Sequence, residues 1–103
     1  MKIPLVDIKR QYESIKNEIN IAIQKVMDSS TFILGEEVKN FEEKFARFCN
    51  TKYCIGVSTG TDAIYLALKT LNIEYGDEVI TAANTFIATA FAISKCGAKP
   101  VLV

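Results

Sequence analysis

The sequence contains no histidine and no tryptophan. Without histidine the commonest general base at neutral pH is missing, and so is a favoured metal ligand. Neither a Ser-His-Asp arrangement nor a Cys/His metal cluster can be assembled from these 103 residues. Charge of one sign is lacking too: 12 lysines and arginines balance 12 aspartates and glutamates. That balance gives no electrostatic pull toward nucleic acid or an anionic membrane. The three cysteines, Cys49, Cys54 and Cys96, are odd in number and show no CxxC spacing. They read as reduced thiols in an intracellular protein. No apolar run reaches the ~20 residues of a membrane span, since the uncharged stretch Ile80 to Ser94 is shorter and carries Asn84. The opening "MKIPLVDIKRQY" has no apolar core of a secretory signal. The expected location is the cytoplasm. Repeats, low-complexity tracts and Gly/Ser linkers are also absent.

What remains is an ordinary globular composition, half apolar and 23% charged. From Gln11 to about Asp28 the residues Tyr12, Ile15, Ile19, Ile23 and Val26 step by three or four, which predicts one helix. "DSSTFILGEE" breaks the pattern, with Ser29, Ser30 and Gly35 as turn or cap residues. Glu36 and Glu37 suit the first turn of a second helix. That helix carries Val38, Phe41, Phe45 and Phe48 on one face, which reads as core, while its interleaved charges read as a solvated face. From Tyr53 the grammar changes. "YCIGVS" reads as a strand, and Ala63 to Leu71 as a largely buried helix. "YGD" at 75–77 is a turn, "EVITA" a strand, "FIATAFAISKC" a helix and "KPVLV" a third strand. Gly97 fits the left-handed position that closes a helix. Strand and helix in alternation imply right-handed crossovers and a parallel sheet covered by helices.

The turn in "GVSTGTDAIYLAL" leads from strand to helix. Such a place offers unpaired backbone N–H groups at the positive end of the helix dipole, ready for phosphate or carboxylate. Gly60 would allow close approach, while Ser58, Thr59 and Thr61 would cap the helix or add hydroxyl donors. The stretch is neither G-x-G-x-x-G nor a GK[ST] phosphate loop. Alone it is either an N-cap without a ligand or an anion cradle. "AANTFIATA", Ala82 to Ala90, occupies the corresponding edge after the second strand, where open α/β sheets bind ligands. Asn84, Thr85 and Phe86 are therefore expected to face the same space as Ser58–Thr61. Phe86 is there either a core residue or a plate for a planar ring.

Four stretches in register, "IPLVDIKRQY", "FILGEEVKNFEEKFARFC", "GVSTGTDAIYLALKTLNI" and "YGDEVITAANTFIATAFAISKCGAKPVLV", resemble the N-terminal part of the DegT/DnrJ/EryC1/StrS sugar aminotransferases. The resemblance covers essentially the whole chain. It implies the α/β fold of the fold-type-I, aspartate-aminotransferase-like PLP-dependent transferases, with a mostly parallel sheet and flanking helices. It implies residues 1–52 as an N-terminal helical segment packing on the large domain, and residues 53–103 as the start of that PLP-binding domain. The implied cofactor is pyridoxal 5′-phosphate (PLP). The implied reaction moves an amino group, usually from glutamate, to a ketone of a nucleotide-linked sugar in a homodimer. By the same resemblance Gly60, Thr61 and Asp62 bind the cofactor phosphate, Thr61 through hydroxyl and amide and Asp62 through its amide. Phe86 falls where the family places an aromatic against the pyridine ring, and Phe32 to Gly35 resembles a loop near the active site.

The resemblance places the Schiff-base lysine and the acid that pairs with the pyridinium nitrogen beyond Val103. No catalytic residue and no metal ligand is therefore assigned within the chain, and Lys69, Lys95 and Lys99 read as surface groups. Asp7, Asp28 and Asp77 read as structural. The chain is expected to be the N-terminal part of a larger protein, inactive by itself and prone to aggregate. Two other readings stay open: a sugar dehydratase of the same family, in which the downstream lysine is replaced, and a non-catalytic α/β nucleotide-binding module.

Overall fold

The computed structural model describes residues 4–103, so Met1 to Ile3 of the expected 1–52 segment, and the first residue of "IPLVDIKRQY", lie outside the described residues. The elements run α1 (Ile8–Ser29), α2 (Glu36–Phe48), α3 (Gly60–Thr70), β1 (Glu78–Thr81), α4 (Ile87–Lys95) and β2 (Lys99–Leu102). The chain divides into two compact units, the first ending at Cys54 and the second spanning Ile55–Val103.

In the first unit α1 starts three residues before the apolar stripe does. Asp7 explains the difference, because its carboxylate accepts the Arg10 N–H at 3.0 Å and caps the helix. The helix ends at Ser30, which turns left-handed at φ 53°. Glu36 and Glu37 occupy the first turn of α2 as expected. Lys25 reaches Glu37 at 2.6 Å and ties the two helices together. The aromatic stripe departs from expectation. Phe41 and Phe45 stack at 5.4 Å, and Phe45 meets Phe48 at 6.2 Å, yet all three are exposed, Phe48 to 86%. Only Ala46 of this helix is buried. The three-four spacing identifies the apolar face but carries no information about what covers it.

In the second unit β1 and β2 pair in parallel, with Glu78 opposite Lys99 and Thr81 opposite Leu102. The ladder continues past both ends, through Lys99 N–H to the Asp77 carbonyl at 2.9 Å and Ala83 N–H to the Val103 carbonyl at 2.8 Å. Lys99 Nζ also meets Glu78 at 2.7 Å across the strands. The expected first strand, "YCIGVS", is irregular, and among the described residues the sheet has two strands. A strand exists only where a neighbour completes its hydrogen bonds, and an apolar run cannot supply that neighbour. α3 is likewise not buried: Leu66, and Leu71 at its C-terminal cap, are exposed. A two-stranded sheet has too little area to cover it.

The core of this unit lies where α4 passes into β2. Ala92, Ile93, Cys96 and Ala98 are buried, Ile93 to 1% exposure. Cys96 Sγ sits 3.8 Å from the Tyr65 carbonyl of α3. Gly97 closes α4 with φ 89°, and a Cβ on it would stand 3.3 Å from the Tyr75 nitrogen. Both facts favour glycine. In the full-length protein Gly97→Ala is expected to cost about 1–3 kcal/mol, read by chemical denaturation. Gly60→Ala, whose Cβ meets nothing within 4 Å, should change stability by less than about 0.5 kcal/mol.

Candidate functional site

The turn ahead of α3 is built around Thr59. Its backbone is extended at φ −150° and ψ 160°, and its Oγ1 accepts the Asp62 N–H at 3.1 Å. Its carbonyl accepts the Ala63 N–H at 3.0 Å, the first bond of the helix. A helix start leaves its first four N–H groups without helical partners. Thr59 satisfies that of Asp62. The N–H groups of Gly60 and Thr61, and the Thr61 hydroxyl, have no hydrogen-bond partner among the described residues. The space where a Gly60 side chain would stand is open. Two free amides, a free hydroxyl and a missing side chain at the positive end of an 11-residue helix suit a phosphate. The Asp62 N–H, which the family resemblance assigns to that phosphate, here serves the cap.

The Asp62 carboxylate is turned onto the same loop. It accepts the Ser58 hydroxyl, and the Thr59 hydroxyl at 3.1 Å. Lys95, from the C-terminal end of α4, stands 3.7 Å from its other oxygen and 4.3 Å over the centre of the Tyr65 ring. The Ser58 and Thr59 hydrogen bonds, and then the Lys95 charge, hold the Asp62 carboxyl below its ordinary pKa. Both partners of the ion pair are partly exposed, Lys95 at 44% and Asp62 at 34%.

Phe86 is the cap residue of α4 and is 78% exposed, with no side-chain capping bond. Nothing among the described residues joins it to the start of α3 by hydrogen bond, ion pair or ring contact. The α4 residue that meets Asp62 is Lys95, which lies nine positions beyond Phe86, about 13 Å along the helix at ~1.5 Å per residue. Phe32, Ile33 and Leu34 are exposed, and Leu34 is left-handed at φ 50°. The aspartates read as structural have local partners. Asp7 caps α1, Asp28 accepts Gln24 at 2.7 Å, and Asp77 accepts the Glu74 N–H at 2.8 Å within the 74–77 turn.

Lys95 and Tyr65 were not legible as neighbours of this site. Tyr65 lies one helical turn from Asp62, a spacing that places both on one face. Lys95 is 33 positions from Asp62, and no periodicity connects them. Among the described residues no group of three or more His, Cys, Asp or Glu side chains could hold a metal ion, and no helix is long and apolar enough to cross a membrane.

Comparison with known proteins adds a consistent set of similarities. The model of the DegT/DnrJ/EryC1/StrS aminotransferase family matches residues 13–103. The dTDP-3-amino-3,6-dideoxy-alpha-D-galactopyranose transaminase of Aneurinibacillus thermoaerophilus is 48% identical over 101 residues, covering 98% of this chain and 28% of that protein. The crystal structure of S. venezuelae DesV in complex with a ketimine intermediate superposes with a TM-score of 0.94 at 44% identity, over 99% of this chain and 28% of that one. NtdA from Bacillus subtilis with bound cofactor PMP superposes with a TM-score of 0.86 at 32% identity, over 99% of this chain and 24% of that one. The chain thus spans about a quarter of the length of these relatives.

Two outcomes follow from the local geometry and are measurable by denaturation of the full-length protein. Thr59→Ala removes the cap and is expected to cost about 1 kcal/mol, whereas Thr59→Ser keeps most of it. Because the Asp62 pKa is lower folded than unfolded, its contribution is complete above the ordinary carboxylate value of about 4 and is lost as pH falls below it. Stability of the unaltered protein should therefore fall more steeply below about pH 4 than that of Asp62→Asn. Equal slopes would show that the carboxylate is not held as described.

Proposed function

This chain belongs to the DegT/DnrJ/EryC1/StrS aminotransferase family, and on that premise we propose that the full-length protein is a PLP-dependent aminotransferase acting on a keto group of a nucleotide-linked sugar. The proposal includes glutamate as amino donor, a homodimeric enzyme and a cytoplasmic location. The observation that carries it is the start of α3, where the amides of Gly60 and Thr61 and the Thr61 hydroxyl stand free. These three donors, at the N-terminal end of a helix, match the phosphate of PLP.

Each residue then has a distinct task. Gly60 admits the phosphate to the backbone, and Thr61 binds it through amide and hydroxyl. Asp62 lies within the same site and holds the turn in shape through Ser58 and Thr59. Phe86, a large exposed aromatic at a helix start, offers a flat apolar face for the pyridine ring. The chemistry that PLP supplies when bound is an electron sink, while the protein supplies orientation. The lysine that holds the cofactor and moves the proton belongs to the part of the protein beyond Val103.

The test uses the full-length protein supplied with PLP. A visible band of bound cofactor, and formation of 2-oxoglutarate from glutamate when a nucleotide-linked keto-sugar is added, are the expected results. Thr61→Val, which removes a donor to a charged group, and Gly60→Ala, whose methyl group fills the open space beside the free amides, should each weaken PLP binding about tenfold or more, while leaving the melting temperature nearly unchanged. Loss of water from the sugar without amino transfer would reassign the protein as a dehydratase. Tight binding of NAD or a mononucleotide with no response to PLP would make it a non-catalytic nucleotide-binding module.

A further inference from the structure

Asp62 poses an electrostatic problem for the proposed cradle, and its solution involves a residue that the family resemblance leaves on the surface. A helix N-terminus carries roughly half a positive charge. Asp62, the third residue of α3, places a full negative charge on that end at neutral pH, as an ordinary aspartate does. An acid there is favourable for the helix alone. For an incoming phosphate it is not, because helix end plus carboxylate sum to about minus one half. The Ser58 and Thr59 hydroxyls both bind the carboxylate and hold it at this end of the helix.

We propose that Lys95 is a positioning residue that keeps the start of α3 receptive to the cofactor phosphate by cancelling the charge of Asp62. Its ammonium lies 3.7 Å from the carboxylate and 4.3 Å over the Tyr65 ring. The ring face attracts the cation from a second side. Asp62 and Tyr65 are three residues apart on α3, so together they form a seat for the end of the lysine that α4 brings in. With Lys95 counted, the local sum returns to about plus one half. Lys95 touches no ligand in this role and acts through Asp62. The inference rests on the assignment of the cofactor phosphate to this helix start.

A simple clamp between α3 and α4 would use the same contacts, and binding measurements separate the two roles. Full-length protein freed of cofactor is titrated calorimetrically at low ionic strength, once with PLP and once with inorganic phosphate. Lys95→Met is expected to weaken both about threefold to tenfold, a gap that narrows in ~0.5 M salt as screening sets in. Lys95→Arg should retain the affinity. Adding Asp62→Asn to Lys95→Met should restore it, although the ion pair stays broken. An unchanged affinity in Lys95→Met, or no restoration by Asp62→Asn, overturns the inference, and the second result identifies a clamp. Thr61→Val is the control for the underlying assignment. If it weakens phosphate binding while Lys95→Met does not, only this inference fails. If neither variant affects phosphate binding, the cradle itself is wrong.

Discussion

The start of α3 depends on one side chain. Thr59 lies just outside the helix with extended backbone, and its hydroxyl oxygen accepts the Asp62 N–H while its hydrogen is directed at the Asp62 carboxylate. A reciprocal bond of this kind fixes where the helix begins and which of its N–H groups are consumed. It also holds the acidic side chain against the loop and within reach of Lys95. Which amides are free, and where the Asp62 side chain is directed, follow from that arrangement. Move the cap by one residue and a different pair of amides would be left free, with Asp62 directed elsewhere.

The same local chemistry explains why so much of the chain was legible. Helices α1 and α2 announce themselves through apolar residues at steps of three and four. Gly35, the glutamates after it and Gly97 mark boundaries by backbone and dipole preferences that operate within one turn. The parallel pairing of β1 with β2 follows from a strand, a helix and another strand in succession. The cap at 59–62 was legible as falling to Ser58, Thr59 or Thr61, and the structure selects Thr59.

Failures of the sequence reading share one cause. "YCIGVS" is apolar enough for a strand, and Phe41, Phe45 and Phe48 are apolar enough for a core, yet the first forms no strand and the others are exposed. Pattern records which side of a segment shuns water. Burial and pairing depend on a second surface, which is non-local information. Lys95 shows the same limit for polar groups: its place beside Asp62 results from α4 meeting α3, and no sequence separation encodes that meeting. Phe86 shows it as well, since a position after a strand predicts an edge but not a neighbour.

The choice of Thr59 as cap has a further consequence for the chemistry available at this edge. Two threonines flank Gly60, and both carry a hydroxyl suited to capping. Had Thr61 served the cap, its hydroxyl would have been consumed by the fold and only backbone donors would remain. With Thr59 capping, the fold uses one hydroxyl and leaves the other, already inside the helix, beside two unpaired amides. Stability and ligand binding then draw on different side chains two residues apart. That separation allows Thr61 to change without loosening the helix and Thr59 to loosen the helix without removing a ligand donor. A helix start in which one threonine did both tasks would permit neither.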